Sequence, residues 1–216
     1  MNDSCKTDSR KIVVATRNRH KLKEIQALLD GCGMNAVSLD AFPRAPKVVE
    51  DGATFAANAA KKARMIARFT GRLTLADDSG LCVDALDGAP GVISARFSGP
   101  GATDHKNNTK LLRLLRDVPA SRRTARFVCT IAIADRRGIV GIAEGMHRGK
   151  IVFFEKGTNG FGYDPLFYSP RLKKTFAQLT GVAKNSVSHR GRALAKARKI
   201  IFAYLRTSRR ACRGKA

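Results

Sequence analysis

From Lys11 the chain reads as a short apolar, β-branched run, KIVVAT (Lys11–Thr16), which predicts a buried strand. At Asn18 the period changes. Leu22, Ile25, Leu28 and Leu29 fall on one face and Gly31 follows as a C-cap, so a helix is predicted. FPRAPK (Phe42–Lys47) predicts a loop, and a second helix starting after Asp51-Gly52 carries Phe55, Ala59, Ala63 and Ile66 inward. Two short apolar runs, Leu73–Ala76 and Leu81–Val83, flank Asp77-Asp78-Ser79-Gly80, and DGAPG (Asp87–Gly91) is turn chemistry. A helix capped by Thr103 or Asp104 presents Leu111, Leu112, Leu114 and Leu115. Phe127, Cys129, Ile131 and Ile133 alternate with Val128, Thr130 and Ala132, the clearest strand signal in the chain. After a turn at Arg136-Arg137-Gly138 two further strands are predicted, at Ile139–Ala143 and around Ile151–Phe154. TNGFGYDP (Thr158–Pro165) is a glycine-rich loop, and a last helix from near Ser188 buries Leu194, Ala197, Ile201 and Tyr204. Helices alternate with strands early and strands cluster in the middle, which predicts a layered α/β protein with a mixed sheet.

Composition bounds this picture. A chain of 216 residues with 44% hydrophobic content can bury one good-sized core. The expectation is a flexible leader over residues 1–10, a single domain over 11–205 and a basic, mobile tail over 206–216. No stretch approaches the roughly 18 apolar residues of a membrane span, and the N-terminus has no apolar h-region, so no secretory signal is expected. Cys5, Cys32, Cys82, Cys129 and Cys212 lie far apart without a CxxC pair. Reduced thiols in a cytoplasm fit that spacing better than a disulfide framework or a zinc site.

Charge changes the picture more. Forty-one Lys+Arg against 17 Asp+Glu give +24, a surplus that favours polyanionic ligands and raises their encounter rates. The basic residues are spread through the chain, except for Arg206, Arg209, Arg210, Arg213 and Lys215 at its end, and Trp is absent. A solvated basic surface is the plainer reading than a dedicated nucleic-acid patch.

Four segments carry candidate chemistry. Thr16-Arg17-Asn18-Arg19-His20-Lys21 joins a strand to a helix, where free backbone N–H groups and the Lys21 cation suit a phosphate. Glu50 and Asp77-Asp78 are oxygen ligands of the kind that suits Mg²⁺, and adjacent aspartates on an extended chain point to opposite sides, so only one need enter a cleft. In Phe161-Gly162-Tyr163-Asp164 a glycine between two aromatics can set a ring against a base, with Asp164 as an acceptor for base or sugar. Lys184, Asn185, Ser186, Ser188, His189 and Arg190 bring donors to the mouth of a helix, matched to phosphate or a keto base edge. Each alone has an ordinary structural explanation: a capped turn, a solvated turn, core aromatics, an N-cap serine.

Taken in order, ATRNRHK (Ala15–Lys21), E-D-G-x-T-F-x-x-N-A-x-x-K-A (Glu50–Ala63), LADDSGL-x-VD-x-L-x-GAPG (Leu75–Gly91), SARFSG (Ser94–Gly99), GFGYDPLF (Gly160–Phe167) and KNSVSHRG-x-AL (Lys184–Leu194) resemble the inosine/xanthosine triphosphate pyrophosphatases, the HAM1-like family of non-canonical purine NTP pyrophosphatases. The resemblance runs from about Lys11 to Leu205. It implies a homodimeric α/β protein in which a mixed central sheet flanked by helices floors a nucleotide cleft between two lobes, with Mg²⁺ at the phosphates. Thr16–Lys21 match the phosphate loop, although Arg17 and His20 stand where the family commonly has glycine or another small residue. Glu50 and Asp78 match the metal-associated acids, and Asp78 the general base, with Ser79 beside it. Phe161, Gly162, Tyr163, Asp164, Lys184, His189 and Arg190 match the segments that hold the base. Asn58 and Lys62 match the helix beside the phosphates.

The activity so implied is water attack on the α-phosphorus of ITP, dITP or XTP, with pyrophosphate leaving. A relative acting on modified pyrimidine triphosphates is disfavoured by the GFGYDP and SHRG segments. The rival from another class is a basic nucleic-acid-binding protein with a vestigial nucleotide site. Glu50, Asp77, Asp78 and Asp164 oppose it, since acids repel a polyanion; nucleic acid is expected only as a non-specific partner.

Overall fold

The computed structural model describes residues 11–30 and 33–213; the predicted leader, the Gly31 cap and the last residues of the predicted tail lie outside the described residues. Among the described residues seven strands form one open sheet in the order β2-β1-β3-β4-β5-β6-β7. They are β1 (Lys11–Val14), β2 (Asn35–Ser38), β3 (Thr74–Val83), β4 (Thr124–Asp135), β5 (Gly138–Ile151), β6 (Phe167–Ser169) and β7 (Lys174–Thr175). β1 pairs in parallel with β2 and β3, whereas β5–β6 and β6–β7 are antiparallel, so the sheet is mixed as predicted. The helices are α1 (Arg19–Asp30), α2 (Phe55–Thr70), α3 (Asp104–Leu114), α4 (Gly181–Val187) and α5 (His189–Arg213). None is long and apolar enough to cross a membrane among the described residues. The α5 backbone remains helical through Arg213, past the Arg206 boundary of the predicted tail.

The chain forms two compact units. The first takes the described parts of Met1–Asp78, Thr130–Glu144 and Ala193–Ala216. Its core joins Val13, Ala15 and Ala76 to Ala59, Ala63, Ile66 and Ala67 of α2. The 59/63/66/67 spacing makes one helical stripe, and its alanines let the helix lie close on the strands. The same turns bury Asn58 and Lys62. Thr54 caps α2 by accepting from the Ala57 amide (3.1 Å), and Gly71, at φ +67°, ends it.

The second unit takes Ser79–Cys129 and Gly145–Arg192. Leu81, Val83, Leu111, Leu115, Phe127, Phe167 and Phe176 lie in its core. Leu114, predicted on the buried face of α3, is 44% exposed, because it lies about 60° round the helix from Leu111 and about 100° from Leu115, at the outer edge of the stripe those two bury. Arg123 is buried with no carboxylate partner among the described residues. Its guanidinium instead donates to the carbonyls of Val118, Val152 and Leu115 and lies over the Phe153 ring. Cys82 and Cys129 are buried within β3 and β4.

Candidate active site

The phosphate-type residues lie in the first unit. Asn18 caps α1: its Oδ1 accepts from the amides of His20 (2.9 Å) and Lys21 (3.1 Å), while its own amide donates to Thr16 Oγ1 (3.2 Å). Two of the amides expected to be open to an anion are therefore taken by the cap. Arg17 donates from Nη2 to the Ala45 carbonyl at 2.9 Å, so the bulky side chain at the family's small-residue position ties this loop to the 42–47 segment. Arg19 and His20 are exposed.

Asp77 and Asp78 sit inside β3, not in a solvated turn, and both are buried. Asp77 pairs with Lys21 (Nζ–Oδ1 2.6 Å) and its side chain is wholly buried. Lys62 pairs with Glu50 (Nζ–Oε1 2.5 Å). Asn58, expected to touch substrate, instead holds Gly52, accepting from its amide at 2.7 Å, and hydrogen-bonds Asp78. Asp78 is 4% exposed and its Oδ2 accepts no hydrogen bond among the described residues. Burial pushes its carboxyl up to about 6, against the opposing pull of Lys21 and Lys62, with a further upward push from Glu50. A buried acceptor left without a donor is costly unless a ligand completes it.

That orphaned oxygen tests whether the residues fit Mg²⁺. Among the described residues no three His, Cys, Asp or Glu side chains gather as a metal cage. Glu50 and Asp78 interact electrostatically, and together they offer two carboxylates. Mg²⁺ takes one or two from protein when phosphate and water fill the remaining positions. The donor set fits.

The base-type residues lie in the second unit. Gly160 has φ +78°, and a Cβ there would collide with Asp164 Oδ2. That oxygen accepts from the Phe161 amide (2.9 Å) and from Lys184 Nζ (2.5 Å). Asp164 thus orders a buried cation and the loop, where the sequence suggested an open acceptor. Lys184 Nζ and the Arg190 guanidinium lie 4.9 Å and 5.8 Å from the centre of the Phe161 ring, within cation–π range. Arg190, 1% exposed, donates to Ser79 Oγ at 2.8 Å. His189 stacks on Phe127, with ring centres 4.6 Å apart and planes at 12°. Tyr163 belongs to the core: it is buried, its hydroxyl donates to the Ser94 carbonyl (2.9 Å), and burial lifts that hydroxyl's pKa well above the usual range. Of the two loop aromatics only Phe161 stays half-buried.

Lys184 lies on α4, a helix absent from the predicted elements, and His189 and Arg190 open α5. Ser188 joins the helices, its Oγ accepting from the Gly191 amide at 3.1 Å. Gly191 has no room for a Cβ, which would collide with the Asn185 carbonyl oxygen. Sequence reasoning missed three more contributors to this loop. Gly162 donates its amide to Asp104 Oδ2 (2.7 Å), and its carbonyl accepts from Asn108 Nδ2 (3.2 Å), which also donates to Glu155 (2.7 Å). The available signal was Asn107-Asn108 inside a helix, where asparagine is a poor former and needs a reason to be there.

Comparison with known proteins gives the same direction. The Ham1 family profile matches residues 12–200. A dITP/XTP pyrophosphatase of Desulforamulus reducens is 57% identical over 88% of this chain and 95% of its own length. One of Geobacter sulfurreducens is 55% identical over 86% and 93%. Among solved structures, a HAM1 protein from Coxiella burnetii is similar with TM-score 0.81 and 40% identity, over 89% of this chain and 98% of that one. A nucleoside-triphosphatase / dITP/XTP pyrophosphatase from Mycobacterium abscessus gives TM-score 0.70 and 46% identity, over 87% and 98%.

Proposed function

The chain belongs to the Ham1 family, and on that premise we propose that it is a nucleoside triphosphate pyrophosphatase. It converts dITP, ITP and XTP to the monophosphate and pyrophosphate, and so clears non-canonical purines from the nucleotide pool. The observation that carries the chemistry is Asp78, a buried carboxylate with one unpartnered oxygen in the field of Lys21, Lys62 and Glu50.

Water attacks the α-phosphorus, the bond from that phosphorus to the bridging oxygen breaks, and pyrophosphate leaves. With a pKa near 6, Asp78 is ionised at neutral pH and still basic enough to take the proton of the attacking water. Lys21 and Lys62 offset negative charge on the triphosphate, which matters because such reactions need positioning and neutralisation more than covalent help. Glu50 and Asp78 are the residues that would hold Mg²⁺, which when bound supplies charge neutralisation and a more acidic water.

Selectivity comes from donors. Lys184, His189 and Arg190 suit the 6-keto oxygen of hypoxanthine or xanthine, and Phe161 offers a ring face. Adenine presents an amino group at that edge and would leave buried donors unpaired, a mismatch that discriminates strongly. Guanine shares the 6-keto group, so its rejection must act at position 2. The reading includes a homodimer, supported by the family resemblance, and a cytoplasmic setting, supported by the spacing of the cysteines. Sedimentation tests the dimer against the 23.4 kDa chain mass.

A panel of ITP, dITP, XTP, GTP and ATP with Mg²⁺, scored for pyrophosphate against orthophosphate, tests the whole. Pyrophosphate from the inosine and xanthosine nucleotides is the expected result. Equal rates for ATP and ITP would defeat the base-edge selectivity, and salt-sensitive nucleic-acid binding without hydrolysis would defeat the enzyme.

A further inference from the structure

The Phe161 loop is gripped by α3, a helix with no other part in the proposed reaction. Asp104 and Asn108 are four residues apart, hence on one helix face. Asp104 accepts from the amide of Gly162 and Asn108 donates to its carbonyl, so this one residue is held through both of its backbone polar groups. Gly162 itself is at φ +63°. Asn108 is 3% exposed, and its second hydrogen bond, to Glu155, fixes the plane of its amide. On the other side of Phe161, the residue's own amide is held by Asp164. Core packing anchors the far side of the loop through Tyr163 and Leu166, but Gly162, with no side chain, is held by its two hydrogen bonds to Asp104 and Asn108. A cavity of about 190 Å³ borders the Phe161 side, lined by Asp104, Asn108, Glu155, Thr158 and Phe161 among others. The grip is rigid at its base, because α3 buries Leu111 fully in the core and Asn107 bonds the Ser98 amide at 2.8 Å.

We infer that Asp104 and Asn108 are positioning residues for base recognition: by clamping Gly162 they set where Phe161 presents its ring. The inference rests on the nucleotide reading above. Unclamping then weakens the fit to the base and leaves the chemistry at Asp78 alone. The loss falls on KM and on discrimination between ITP and ATP, with kcat preserved.

The test compares Asp104→Ala, Asn108→Ala and Asp104→Asn in the full chain. Asp104→Asn keeps an oxygen that can accept from the Gly162 amide but removes the charge that favours a helix start. Both alanine variants are expected to raise KM for dITP about tenfold, the scale of one lost hydrogen bond. Their kcat stays within about twofold, and ITP/ATP discrimination falls with the KM effect. Asp104→Asn stays near wild type. If Asp104→Asn is as impaired as Asp104→Ala, helix-start charge is responsible and the clamp is overturned; unchanged KM and discrimination in Asp104→Ala overturn it equally. A wild-type chain that releases no pyrophosphate from dITP sinks the nucleotide reading instead. In that case exchange of the Gly162 amide in the nucleotide-free protein decides the clamp separately. A slow amide that Asp104→Ala speeds about tenfold or more supports it, and equal exchange refutes it.

Discussion

Burial and charge work against each other at Asp78. Removal from water lifts its pKa from an ordinary 3.8 to about 6, and the two nearby lysines hold it from rising further. The ionised form is therefore disfavoured in the folded chain relative to the unfolded one. The carboxyl's contribution to stability is fully present below about pH 3.8 and is lost as pH rises through about 6. Asp78→Asn is thus expected to be more stable than wild type at about pH 7.5 in chelator, by up to about 3 kcal/mol, with the gap closing towards pH 4. Urea unfolding at the two pH values measures it; a variant less stable than wild type at the higher pH would contradict the burial argument. If Asp78 is the proton acceptor proposed above, the same substitution is expected to lower kcat about a thousandfold while the fold, read by circular dichroism, is kept. In wild type, kcat/KM falls as pH drops below about 6, where Asp78 becomes protonated. These opposed effects, more stable yet inactive, distinguish a functional carboxylate from a structural one.

At the scale of elements, the junction of α4 and α5 places Lys184, His189 and Arg190 together, and it depends on the missing side chain of Gly191. Gly191→Ala brings a methyl against the Asn185 carbonyl, a backbone atom that cannot swing aside. The expected cost is about 2 kcal/mol or more in stability, with KM for nucleotide raised as the cations shift. Denaturant midpoints and steady-state kinetics check both, and a variant matching wild type in each would show that the junction has slack. This junction also marks where sequence reading reached its limit. α1, α2, α3 and α5 were legible from their caps and apolar spacing. α4 was not, because its seven residues offer too short a stretch for a period to show. β3 was divided in two because acids and a serine interrupt its apolar run, yet those acids are buried within one strand, stabilised by Lys21 and by Asn58. The sequence predicts a strand over Ile139–Ala143 and another around Ile151–Phe154, but β5 runs unbroken from Gly138 to Ile151 and Val152–Phe154 lie beyond it. Within it Gly141 makes room for Ile200, and Gly149 for Phe167 and the Tyr168 carbonyl. Acids and cations of the candidate site could be named from motifs. Their pairing could not, and neither could the work of Asn58, Asp104 and Asn108, since long-range hydrogen bonds leave no local pattern.

For the molecule as a whole, the surplus of +24 acts on encounter more than on chemistry. A triphosphate is drawn to such a surface from a distance set by ionic screening. Raising salt from about 0.05 M to about 0.5 M is expected to lower kcat/KM for dITP several-fold and leave kcat nearly unchanged. Stopped-flow or steady-state rates across that range decide it, and salt-independent kcat/KM would mean that the charge has another use. The surplus also explains why the acids matter as evidence: Glu50, Asp77 and Asp78 persist in a chain otherwise suited to polyanions, and each is paired or placed against a lysine. Everything turns on which phosphorus the water reaches. Hydrolysis of dITP in ¹⁸O-labelled water, with the products resolved by mass spectrometry, reads this directly. Attack at the α-phosphorus puts one ¹⁸O in the monophosphate and none in pyrophosphate; label in pyrophosphate, or release of orthophosphate as the first product, would contradict it.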